Sequence, residues 1–255
     1  MNSAIIIFPG TNRDNDMAMV LEEISGKKPK LVWYQDRNLP VVDLLVLAGG
    51  FAYGDYLRAG AMAARAPIVK AVIDHASKGA PVLGICNGFQ ILTEIGLLPG
   101  ALMRNAGLKF ICRNLNIRVE AINSIFTEKY QKGQNLSIPV AHNDGNYFAE
   151  KIVLDQLEEE NRIAFRYVDS RGEVNTNGNP NGSARNIAGI LNANRNVLGL
   201  MPHPENATDP KLGGTDGRGL FASIVANLSR LRMKPPTPLI LLLNTGYQQM
   251  NMPSF

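Results

Sequence analysis

Cysteine, tryptophan and histidine are scarce in this chain of 255 residues: it holds two cysteines, one tryptophan and three histidines. Two cysteines, Cys86 and Cys112, make neither a disulfide framework nor a thiolate zinc site. They fit a reducing cytoplasm, where a reactive thiol stays free. Long apolar runs are missing as well. The run at residues 239–243 is far too short to cross a bilayer. Residues 4–8 follow Met1-Asn2-Ser3 without the basic flank or the length of a signal peptide, and read as a first buried strand. No lysine- or arginine-rich run and no basic patch interleaved with aromatics occurs. The net charge of +4 and pI near 9.1 therefore describe an ordinary soluble protein rather than a nucleic-acid binder. A Gly-rich loop ending in Lys-Ser/Thr, which would cradle nucleotide phosphates, is also absent.

What the chain does have is apolar content, 45% of its residues, enough to bury a sizeable core in one α/β domain or two small ones. Residues 5–8, 31–34, 44–48 and 82–86 read as buried strands, and residues 17–24 and 61–76 as helices between them. This alternation predicts a doubly wound, mostly parallel sheet flanked by helices. A helix is expected at residues 87–95. Alternation in Asn116-Ile117-Arg118-Val119-Glu120 predicts half-exposed, antiparallel strands. The stretch 175–183, rich in asparagine, glycine and proline, is a turn region. Strands at 187–191 and 197–201 and a closing helix at 219–231 complete the pattern. The proline cluster after residue 234 breaks regular structure, so residues 1–232 are expected to form the domain and residues 233–255 a tail.

Two separated segments carry chemistry. Gly84-Ile85-Cys86-Asn87-Gly88 joins a strand to a helix with the shape of a nucleophile elbow, where a strained backbone lifts the side chain above the sheet. The helix starting at Asn87 aims its positive end at Cys86 and favours the thiolate. Its first N–H, that of Asn87, is placed to hold an oxyanion. The second segment is Pro202-His203-Pro204-Glu205. Each proline pushes the residue before it towards extended backbone, where side chains i and i+2 share a face. His203 and Glu205 would then project together as a base and its orienter. An inert core thiol is the plain alternative for Cys86. The segment Gly49-Gly50-Phe51 offers either a second oxyanion donor or an ordinary tight turn. His75 reads as a surface residue, Cys112 as core, and His142 is open to either reading.

Gly84-Ile85-Cys86-Asn87-Gly88-Phe89-Gln90 together with Pro202-His203-Pro204-Glu205 resembles the class I, triad-bearing glutamine amidotransferases. Several further motifs are similar to one branch of that family, the glutaminase subunits of phosphoribosylformylglycinamidine synthases. These are Phe8-Pro9-Gly10-Thr11-Asn12, the segment from Gly49 to Arg58, Ile91-Leu92-Thr93-Glu94 and Asn179-Pro180-Asn181-Gly182-Ser183. The resemblance covers roughly residues 4–230. It implies a flavodoxin-like α/β fold, with Cys86 as nucleophile, His203 as general base and acid, and Glu205 as orienter. It implies an oxyanion hole at Gly50 and Asn87, and glutamine contacts at Gln90, His142, Asn143 and Asp144; Asn143-Asp144 departs from the family's pattern there. It implies no metal or cofactor in this chain. ATP and Mg²⁺ are expected on a partner synthetase subunit, with a small bridging subunit beside it. The alternatives are another amidotransferase's glutaminase component, a related cysteine hydrolase, or a structural subunit with a dead elbow.

Overall fold

The computed structural model describes residues 1–56 and 58–233. The tail beyond them, with the apolar run at 239–243, lies outside the described residues. In chain order the elements are β1 (Ser3–Ile7), α1 (Asp14–Ser25), β2 (Lys30–Trp33), β3 (Leu44–Leu47), α2 (Ala59–Ala63), α3 (Val69–Ser77), β4 (Val82–Ile85) and α4 (Asn87–Glu94). Then come β5 (Ala101–Met103), β6 (Ile111–Val119), β7 (Asn135–His142), β8 (Asn146–Phe148), α5 (Lys151–Glu159), β9 (Ile163–Tyr167), β10 (Ile187–Leu191), β11 (Val197–Leu200) and α6 (Arg218–Met233).

The main sheet is ordered β2-β1-β3-β4-β11-β10-β9-β6-β7, and β5 and β8 pair in a separate ribbon. Its first five strands are mutually parallel. Beyond β11 every pairing is antiparallel. Composition explains the division. The strands β3, β4, β10 and β11 are uninterrupted apolar runs buried on both faces, which suits a sheet centre covered by helices. The antiparallel wing carries the alternating pattern, with β7 reading exposed and buried in turn. From β1 the chain crosses to β2 on one side, and from β3 to β4 on the other. Right-handed crossovers then set their helices on opposite faces. The helices α1 and α6 pack together, as do α2 and α4. The strand order reverses between β1 and β3, so the loops after those strands open a crevice at the carboxyl ends of the parallel strands.

Four expectations need correction. The strand read as buried over 31–34 is β2 at the edge of the sheet, where Val32 is buried but Leu31 and Trp33 are exposed. The helix expected over 61–76 is two, α2 and α3, because Pro67 lies between them and disfavours helical geometry at Ala66. Cys112 is exposed rather than core, since its strand β6 is half-open to solvent at that end. His75, expected at the surface, is half-buried, and burial lowers its pKa.

Candidate active site

The turn from β4 into α4 holds Cys86 at φ 52° and ψ −107°, a left-handed backbone that costs a non-glycine residue on the order of 1–3 kcal/mol. Two close contacts hold it there. The Cys86 N–H donates to the Leu200 carbonyl at 2.8 Å, tying the elbow to the end of β11. Gly88 lets α4 descend onto β3, for a Cβ there would lie 2.0 Å from the Leu47 carbonyl oxygen. Such packing makes Cys86 the N-cap of α4, at the positive end of that helix.

His203 comes shortly after β11, and its N–H donates to the Pro139 carbonyl of β7 at 2.8 Å. Glu205 lies in a single 3₁₀ turn, Pro204–Asn206, rather than in an extended strand. The turn still brings the two side chains together: His203 Nδ1 and Glu205 Oε1 are 2.7 Å apart, and both residues are buried. Burial by itself pulls an imidazole's pKa down. Here Glu205 and Cys86 outweigh it, and His203 is raised to about 10. Its Nε2 has no hydrogen-bond partner among the described residues. Cys86 and His203 meet over Gly49, where a Cβ would lie 2.8 Å from Cys86 Cβ and 3.1 Å from His203 Cε1. The Cys86 sulfur otherwise faces the Ala141 carbonyl oxygen at 3.8 Å. The fold therefore brings thiol, imidazole and carboxylate to one point from separate segments.

The loop after β3 lies beside this group. Gly50 has φ +95°, and Phe51, Tyr53 and Asp55 all take left-handed φ of 51–56°. The Phe8-Pro9-Gly10-Thr11-Asn12 motif braces this strained segment: Asn12 N–H donates to the Gly50 carbonyl and Tyr53 N–H to that of Pro9. Asn87 braces it from the other side. Its Oδ1 accepts from the Ala52 N–H at 3.2 Å, and its Nδ2 donates to Asp55 Oδ1 and Gln90 Oε1, each at 2.9 Å. Burial raises the Asp55 pKa, opposed by the bond from Asn87 and reinforced by the nearby charge of Asp144.

Gln90 is one helical turn beyond Cys86, and its amide donates to the Asp144 carbonyl at 2.9 Å. Gln90 and Asp144 line a cavity of about 320 Å³ with Tyr56, Arg58, Glu94 and Arg104. The cavity walls carry two opposite-charge pairs, Arg58 with Glu94 and Arg104 with Asp144. His142, by contrast, at the end of β7, has its ring buried beside Gly145 and bonded to Asn105. Asn143 is half-buried, and its carbonyl accepts from the Asn105 N–H. A larger surface cavity, about 960 Å³ and lined by Arg37, Lys70 and Lys78, opens at the amino ends of β3 and β4, the opposite end of the sheet from the elbow.

Sequence reasoning missed Asn105, Arg58, Arg104 and the side-chain role of Asn87. A lone buried asparagine has no signature in a linear pattern, Arg104 looks like any solvated residue, and Arg58 closes the Gly49–Arg58 motif without its ion pair to Glu94 being visible there. Asn181 stands in a motif that is visible in the sequence, but its task is not.

Residues 1–212 match the family model for the CobB/CobQ-like glutamine amidotransferase domain. Among curated relatives, phosphoribosylformylglycinamidine synthase subunit PurQ of Rhodospirillum rubrum is 60% identical over 90% of this chain and 100% of the relative. The subunit PurQ of Zymomonas mobilis is 56% identical over 88% of this chain and 98% of its own. A chain in the solved structure of PurLQS from Thermotoga maritima superposes with a TM-score of 0.78 at 41% identity, covering 89% of this chain and 98% of that one. The chain belongs to the glutamine amidotransferases and, within them, to the family of phosphoribosylformylglycinamidine synthase subunit PurQ.

Proposed function

We propose that this chain is the glutaminase subunit of a phosphoribosylformylglycinamidine synthase. It hydrolyses glutamine to glutamate and ammonia in the cytoplasm, with residues 1–232 as its amidotransferase domain. A separate synthetase subunit then spends ATP to convert formylglycinamide ribonucleotide to the amidine of purine biosynthesis. One observation carries the reading: Cys86 and His203 converge over Gly49, with Glu205 bonded to the far side of the imidazole. They do so in a chain 60% identical to a PurQ subunit over most of its length. The Thermotoga assembly named PurLQS supports two partners, a synthetase and a small subunit.

The chemistry runs in two halves. Glutamine lies with its side-chain amide over Cys86 and its α-amino and α-carboxylate groups towards the cavity of Gln90 and Asp144, whose paired charges match a zwitterion. His203 already carries the proton and pairs with the Cys86 thiolate, and the sulfur adds to the amide carbon. The resulting oxyanion is held by the N–H groups of Gly50 and Asn87, each such donor being worth about 2.7–4 kcal/mol. His203 passes its proton to the departing nitrogen, releasing ammonia and leaving a γ-glutamyl thioester. Water then attacks the thioester with His203 as base, which frees glutamate and restores the thiolate. Glu205 fixes the imidazole's tautomer and stabilises its cationic form throughout.

The test uses the chain assembled with its synthetase and small subunits. Glutamate release should be strong in that complex and vanish in Cys86→Ala, while synthesis supported by ammonium salts persists. Full glutaminase activity in Cys86→Ala would show the assignment to be wrong.

A further inference from the structure

We infer that two buried asparagines, Asn105 and Asn181, are positioning residues that clamp the segment 141–147, the end of β7 with its turn into β8, and thereby set the affinity for glutamine. The inference rests on the glutaminase reading above and adds to it residues that never touch the reacting atoms. Both asparagines are 1% exposed, and both grip the same residue, Gly145. Asn105 Oδ1 accepts from the Gly145 N–H at 3.1 Å. Asn181 Nδ2 donates to the Gly145 carbonyl at 2.7 Å. Ser183 Oγ lies within hydrogen-bond reach of that carbonyl and of Asn181 Oδ1, fixing the amide's orientation.

Asn105 reaches further along the segment. Its Nδ2 donates to the carbonyls of His142 at 2.9 Å and Lys109 at 2.8 Å, and its own N–H donates to the Asn143 carbonyl at 2.7 Å. With both amide hydrogens committed, Oδ1 must be the acceptor facing His142 Nδ1 at 3.2 Å. His142 Nδ1 therefore carries the proton. Its ring then fills the space beside Gly145, where a Cβ would lie 2.4–2.7 Å from three ring atoms. The two asparagines are also joined, since the Ala106 N–H donates to the Asn181 carbonyl at 2.9 Å.

The opposite side of the segment faces the reaction. Ala141 presents its carbonyl to the Cys86 sulfur at 3.8 Å, and Asp144 presents its own to Gln90 at 2.9 Å. A segment pinned at 142, 143 and 145 keeps these groups and the cavity wall at Asp144 in register with the elbow. The elbow itself is held by β11 and α4, which the clamp does not touch. The clamp should therefore govern how well glutamine is seated and leave the thiol's own reactivity alone, because contacts made equally in ground and transition state move KM rather than kcat.

The experiment measures glutamine kinetics on the full complex carrying Asn105→Ala, Asn181→Ala or both. Each single variant should raise KM for glutamine about tenfold or more while kcat falls less than threefold, the scale expected for losing hydrogen bonds to buried backbone. Because both act on Gly145, the double variant should cost less than the product of the singles. Alkylation of Cys86 by iodoacetamide should keep its wild-type rate in each. A merely structural role would lower the active fraction, and hence kcat, with KM unmoved. That outcome, or an unchanged KM in both singles, overturns the proposal. If Asn105→Ala fails to fold, Asn181→Ala carries the test. Loss of the glutaminase reading itself would appear separately, as wild-type complex that releases no glutamate.

Discussion

Replacing Glu205 by glutamine keeps the shape of the buried pair and removes its charge. In the native protein a 2.7 Å contact joins His203 Nδ1 to Glu205 Oε1 with neither residue open to water. Taking one charge from a buried pair costs about 3–5 kcal/mol, because the other is left uncompensated. A glutamine oxygen can still accept from Nδ1, so the lower part of that range applies. At 1.36 kcal/mol per tenfold, kcat for glutamine hydrolysis should fall about 100- to 1000-fold. Glu205 does not line the cavity of Gln90 and Asp144, so KM should stay within about threefold of wild type. Glutamate release by the assembled complex, measured with a coupled dehydrogenase, gives both constants. A loss of less than fivefold would refute the argument that the carboxylate sustains the imidazolium.

The same substitution has a pH signature. His203 is raised to about 10 because Glu205 and Cys86 outweigh the cost of burial. The ordinary imidazole value in an unfolded chain is about 6.5. A raised native pKa means the folded state binds the proton more tightly. The stabilisation is thus complete below about pH 6.5 and is lost as pH rises through about 10. Thermal melts of wild type and Glu205→Gln should differ most near pH 6.5 and draw together towards pH 10. A gap that widened with pH would mean the pair is not held by charge.

Burial first, and then the charge of His203, lower His142 to about 4, so acid should destabilise the fold between about pH 6.5 and 4 by roughly 3 kcal/mol through this residue; in urea titrations His142→Gln should lose that share of the acid sensitivity. Gly88→Ala would drive a Cβ to 2.0 Å from the Leu47 carbonyl oxygen, a backbone atom that cannot yield; overpacking of this kind costs about 3 kcal/mol or more, lowering Tm by roughly 6–12 °C. Cys112→Ser should leave glutaminase activity intact, since Cys112 is exposed on β6; it would reduce the count of alkylatable thiols to one, which glutamine should protect.

Legibility in the sequence tracks the range of the interaction. The parallel core strands are plain, because runs such as Leu44-Leu45-Val46-Leu47 can be satisfied only by burial on both faces. Cys86 is plain for the same local reason: flanking glycines and a helix start encode a strained turn within five residues. His203 and Glu205 are recognisable as partners, but the geometry expected for them is extended. A 3₁₀ turn brings them together instead, because a proline fixes its own φ and leaves the backbone of the next residues free to choose. The break between α2 and α3 is marked by Pro67, yet the helical composition on either side reads straight through it. The support around the site is not legible at all. Asn87 reaches the loop at Ala52 and Asp55, and Asn105 reaches Gly145, across sequence separations of 32 to 40 residues. Such bonds depend on where β3, β4 and β7 end in space, and no linear spacing records that. A sequence can therefore name the three groups proposed to react, while the asparagines proposed to position the substrate become visible once the strands are paired.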